Sequence, residues 1–124
     1  MTVTSNKELV LRMIEEVFNG GRPDRLGAYW DPAMVGEAEG LHRKLTDAFG
    51  DLHVAVDDVV AEGDRVVVRL TFSGTHDGPF HGLPPTGRAV RFGAIRIYRV
   101  ADGTLVETWA HQDAMGLMAQ IRGT

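Results

Sequence analysis

At Gly50 the hydrophobic period of the chain changes, and this switch constrains the fold more than any other feature. Before it, apolar residues recur at helical spacings. Leu9, Val10, Met13, Ile14, Val17 and Phe18 form one broad stripe, and Leu41, Leu45, Ala48 and Phe49 form another. After it, Leu52, Val54 and Val56 alternate with His53, Ala55 and Asp57, the period of a half-buried strand. Helices first and antiparallel strands after is an α+β layout. A strongly curved sheet with N-terminal helices packed on one face encloses a pocket, and a small ligand would sit there.

Local signals set the boundaries. Ser5-Asn6-Lys7-Glu8 fits a capping box that starts the first helix, and Gly20-Gly21 stops it. Pro23 suits the first turn of a short second helix with Tyr29 and Trp30 available for burial, and Pro32 ends or bends it. A third helix is expected over 37–49. Strands are expected over 52–60, 65–72, 90–100 and 105–113, with turns at Glu62-Gly63-Asp64 and Ala101-Asp102-Gly103. The stretch SGTHDGPFHGLPPTGR between the middle strands is too rich in Gly and Pro for regular structure. An apolar tail from Met115 to Ile121 is expected to cover one end of the pocket.

The 124 residues suit one domain, 1–124, with a single core. The net charge is -4 with scattered Lys and Arg, so neither nucleic acid nor an anionic membrane is an expected partner. No apolar run reaches the roughly 20 residues that span a bilayer. The first ten residues lack the basic and apolar regions of a signal peptide, and a cytoplasmic protein is the default. With no cysteine there is neither disulfide nor thiolate chemistry.

The last strand, LVETWAHQD, concentrates the chemistry. Strict alternation puts Leu105, Glu107, Trp109, His111 and Asp113 on one face. Two acids and an imidazole around an indole could line a cavity; the same face could equally be the wet one. In an apolar pocket Asp113 would lose hydration, which raises a carboxylate's pKa toward the range of a working base, with His111 as its partner. Trp109 and Met115 would supply the apolar surroundings. The plainer reading makes Asp113 a cap for the following turn. Glu107, Arg69 and Arg96 suit cross-strand ion pairs, and Arg69 could instead bind a carbonyl or enolate oxygen.

His76 and His81 match no metal spacing, so no metal is expected. His42 reads as an ordinary helix-face residue. G-x-S-x-G, Walker and dinucleotide patterns are absent.

The stretches GTHDGPFHGLPPTGRAV and YRVADGTLVETW, with the aspartate of WAHQD and GLMAQI, resemble the SnoaL-like polyketide cyclases and their ester-cyclase relatives. The resemblance covers the sheet half well and the first helix loosely. It implies a cone-shaped α+β fold like that of ketosteroid isomerase, a homodimer, and ring closure by intramolecular aldol condensation without cofactor. It implies a small hydrophobic substrate held by residues such as Phe18, Trp30 and Trp109. The position matching the family's acid/base carboxylate is Asp113, with His111 beside it.

One departure matters. The family carries a longer segment between the second and third helices, with a His or Asn facing the pocket. No matching His is found here, and Tyr29 is a candidate substitute. Three readings stay open: a cofactor-independent cyclase, a non-catalytic binding or dimerisation protein, and an epoxide-opening enzyme that would need an Asp-Arg-Asp set around Arg69.

Overall fold

The computed structural model describes residues 2–123. Its elements run α1 (Val3–Met13), α2 (Val35–Ala48), β1 (His53–Glu62), β2 (Arg65–Thr75), β3 (Ala89–Ala101), β4 (Thr104–Gln112) and α3 (Ala114–Arg122). The strands form a four-stranded antiparallel meander in the order β1-β2-β3-β4, curled but not closed. The α+β layout expected from the change of period is therefore the fold, and the curled sheet is the cone that the resemblance implies.

Thr2, not Ser5, caps α1: its hydroxyl accepts the Ser5 backbone N–H at 3.0 Å. The helix therefore starts one turn earlier than Ser5, with Ser5 inside its first turn, which corrects the capping-box boundary. The helix runs on into a wider π-helical turn, Ile14–Asn19, closed by Gly20 N–H to Glu15 O at 2.7 Å. Asn19 then fastens this end to the sheet. Its amide donates to Val54 O and accepts from Val54 N–H, each at 2.8 Å, as a neighbouring strand would.

The inner face of the sheet is nearly all hydrocarbon. Val66, Val68, Leu70 and Phe72 on β2, with Val90, Phe92, Ala94, Tyr98 and Val100 on β3, are buried under α1 and α2. Phe72 and Phe92 are paired across the strands and stack at 5.1 Å. Each such side chain contributes about 1.5–3 kcal/mol by leaving water. Arg96 occupies one position in this row.

Two irregularities shape the sheet. One lies at Asp57 in β1, the other in β4, where Arg99 pairs with Glu107 but Val100 pairs with Leu105. Val106 is thus an extra residue, a β-bulge, and bulges bend strands and reset which face follows. At the free edge of β4, Leu105 N–H donates to Tyr29 O at 2.8 Å and Asp31 N–H to Leu105 O at 2.9 Å. That clamp holds Trp30 inside the cone beside Tyr98, with ring centroids 5.9 Å apart.

The Gly- and Pro-rich connection folds back on the core through buried His76, whose Nδ1 lies 3.0 Å from the Thr86 hydroxyl. The tail is helix α3. It buries Leu117 and Ile121 and bonds Gln120 to the backbone of Arg91 at 2.7 and 2.8 Å, so it covers the start of β3 and none of its residues lines the cavity of the cone. This corrects its expected place.

Candidate functional site

Between the inner face of the sheet and the helices lies a cavity of about 50 Å³ that opens to solvent on one side. Its floor is apolar, made by Met13 and Phe18 of the first helix and by Leu26. Its polar wall consists of Trp30, His42, Arg96, Tyr98 and Thr108. Met34, Glu37, Ala38 and Leu41, at the start of α2, form the rim, where Glu37 and Leu41 meet solvent.

The polar atoms of that wall are unusual. Trp30 Nε1, His42 Nδ1, Arg96 Nε and Thr108 Oγ1 are all buried without a hydrogen-bond partner. Leaving one such group unsatisfied costs about 1–3 kcal/mol, and more when it is charged. Four of the six unpartnered buried side-chain atoms among the described residues therefore converge on one cavity.

Arg96 is the centre of this arrangement. It is only 5% exposed, and among the described residues no carboxylate pairs with it. Its guanidinium lies over the rings of Phe18 and Phe72, 5.5 and 5.4 Å from their centroids, and donates a long bond of 3.5 Å to the Tyr98 hydroxyl. Cation–π contact offsets part of the cost of burying the charge. His42 is 4% exposed and packs edge-on against Phe18 at 4.8 Å. Burial lowers its pKa, and the nearby positive charge of Arg96 lowers it further. His42 therefore stands neutral, able to accept a proton.

The expected site residues separate into groups. Phe18 and Trp30 line the cavity. Tyr29 is buried behind it, donating its hydroxyl to Glu16, which also takes a bond from Arg25. Hydrogen bonds from Tyr29 and Arg25 hold the Glu16 carboxyl below its ordinary range. Glu107, Trp109 and His111 do not share a cavity wall with Leu105. The bulge at Val106 sends them to the outer face of the sheet, which corrects the strict alternation.

On that outer face Glu107 pairs with Arg99 at 2.8 Å, and Arg65 covers the Trp109 ring at 5.4 Å. Arg69 pairs with Asp58 at 2.7 Å and lies 3.6 Å from Asp57. Of the three residues expected in cross-strand pairs, Arg96 alone turns inward. His111 and Asp113 are exposed beside an open groove with Arg69 and Thr71. Asp113 caps α3, accepting the Gly116 N–H at 2.9 Å, in solvent rather than in apolar surroundings. Met115 is 87% exposed.

A family model described as SnoaL-like polyketide cyclase matches residues 8–121. The chain belongs to the SnoaL-like polyketide cyclase family. Among solved structures this SnoaL-like chain is similar to a candidate SnoaL-like polyketide cyclase from Jannaschia sp. CCS1, with 30% identity over 98% of this chain and 94% of that one, at a TM-score of 0.89. It is also similar to TsrD from Streptomyces laurentii, with 29% identity over 100% and 99% of the two chains and a TM-score of 0.87. AclR, a candidate hydroxylase from Streptomyces galilaeus, shares 26% identity over 99% of each chain, again at 0.87. Comparison with curated proteins finds no match. Among the described residues no helix is long and apolar enough to cross a membrane.

Two signals for the cavity residues were present in the sequence. Arg96 stands in register with Val90, Phe92, Ala94, Tyr98 and Val100, so the period of β3 points it inward. His42 lies three residues before Leu45 and four after Ala38, which puts it on the packed face of α2.

Proposed function

We propose that this SnoaL-like chain is a cofactor-independent acid–base enzyme of the cyclase type, acting on a small polyketide-derived substrate in the cavity around Arg96 and His42. The single observation that carries the reading is the set of four buried, unpartnered polar atoms on side chains around one cavity. A buried polar group needs a partner, and a cluster of four in one cavity wall is suited to the polar atoms of a ligand.

The chemistry follows from the residue types. Neutral His42 takes a proton from a carbon between two carbonyls. The Trp30 N–H and the Thr108 hydroxyl donate to the oxygen on which enolate charge develops, and the Arg96 charge favours any negative charge formed nearby. The enolate carbon then bonds to an internal carbonyl carbon. The resulting alkoxide recovers the proton from His42, so the reaction is a redox-neutral ring closure. A non-catalytic binding protein is a second reading, favoured by the small volume of the cavity and by Glu37 being its one carboxylate. Epoxide opening is less favoured: Arg69 does lie against Asp58 and Asp57, but this set is exposed on the outer face of the sheet and none of its members lines the cavity.

For association, we infer a homodimer that uses the outer sheet face, where Val60, Ile95 and Trp109 are exposed.

The test is the exchange of the central protons of benzoylacetone in D2O, followed by NMR. The wild type should accelerate exchange over buffer. His42→Gln should lose about 100-fold or more of that rate, and Asp113→Asn should keep it. Exchange that survives in His42→Gln and vanishes in Asp113→Asn would return the chemistry to the end of β4.

A further inference from the structure

We propose that the cavity takes a carboxylate head group from its ligand, held by the guanidinium of Arg96. This rests on the reading of the cavity as the functional site, and it goes further by naming the ligand's charge.

Arg96 is buried to within 5% of complete enclosure, carries a full positive charge, and has no acidic partner among the described residues. Any ligand that fills the cavity removes what water reaches it. A neutral ligand would meet the charge only with the dipoles of its acceptor oxygens, a weaker compensation than an anion gives in a poorly solvated interior. An enolate compensates only while it lasts. A carboxylate compensates throughout the bound state and matches the planar donor fork of an arginine.

Size points the same way. A space of about 50 Å³ compares with the roughly 30 Å³ that one water occupies in the liquid. A head group of a few heavy atoms is what enters it, and a ring carried by the ligand would extend to its open rim. The hydrocarbon part of the ligand would lie along Met34, Ala38 and Leu41 at the rim. The Nη1 of Arg96 is engaged by Tyr98 at 3.5 Å, and its Nε is the free donor. The unpartnered Trp30 N–H stands in the same wall as a second donor for a carboxylate oxygen.

Calorimetric titration with benzoate and with acetophenone tests this directly, because the two have nearly the same shape and differ in charge. Wild type should bind benzoate at least about tenfold more tightly, the scale of one charge-assisted hydrogen bond. That preference should disappear in both Arg96→Gln and Arg96→Met, with folding checked by circular dichroism. Acetophenone binding as tightly as benzoate to the wild type would overturn the carboxylate assignment while leaving the cavity as the site. A preference for benzoate that persists in both variants would also overturn it, by placing the anion elsewhere. If neither compound binds, the carboxylate assignment and the cavity reading fall together.

Discussion

The imidazole of His42 is held neutral by burial and, secondarily, by the guanidinium charge of Arg96 in the same cavity wall. A base and a cation are thus kept together with no acid between them. An anion or a forming enolate is what such a pair is suited to receive.

The first consequence concerns pH. Because the His42 pKa is lowered, the unfolded chain binds more protons than the folded one between the folded value and about 6.5, the ordinary imidazole value. Stability from this group is fully present above about 6.5 and is lost as pH falls through the folded value. Urea titrations over that window should show falling stability in the wild type, and the slope should diminish in His42→Phe. The wild-type exchange rate should fall over the same window as His42 becomes protonated.

Arg96→Met should trade function for stability. Replacing an unpaired buried charge by a side chain of similar volume is expected to leave the melting temperature unchanged or raise stability by about 1 kcal/mol or more. The preference for an anionic ligand should be lost in the same variant. A large loss of stability would mean that the guanidinium is structural, held by its contacts with Phe18 and Phe72.

Asp113 has a helix end to satisfy. Asp113→Ala should cost about 1 kcal/mol through loss of the α3 cap, whereas Asn, itself a good cap, should cost little. Neither change should alter proton exchange. Chemical denaturation and exchange kinetics on the two variants separate a cap from a catalytic acid.

Two glycines should respond in opposite directions. A Cβ at Gly78 would lie 1.8 Å from the backbone oxygen of Asp47, so Gly78→Ala must displace the connection between β2 and β3 and should destabilise by about 2 kcal/mol or more. Gly40, inside α2, has nothing within 4 Å of an added Cβ, and Gly40→Ala should stabilise by about 0.5–1 kcal/mol. Thermal melts of the two variants check both signs.

Most of the fold was legible because period and punctuation agree. The helical stripes bury Val10, Met13, Val17, Leu45 and Ala48, and each expected strand matches an observed one within a few residues. The site was less legible, for a specific physical reason. Counting by twos from Leu105 assumes an unbroken pleat, and one extra residue at Val106 reverses the face of everything after it. Leu105 is buried, while Trp109, four residues on, is 37% exposed on the other side. Nothing in LVETWAHQD marks that bulge. Arg96 was misplaced for the opposite reason: the alternation of β3 pointed it inward, and its charge argued for the surface.

The two tryptophans offer the most direct measurement, since Trp30 lines the cavity and Trp109 lies on the outer face under Arg65. A proton–nitrogen correlation spectrum should show two indole signals, assigned with Trp109→Phe, and benzoylacetone can be titrated against both. Ligand in the Arg96–His42 cavity should move the Trp30 indole signal in a saturable way and leave the Trp109 signal in place. A shift confined to Trp109, with Trp30 unmoved at saturation, would put the ligand on the outer face beside His111 and Asp113 and contradict the cavity as the functional site.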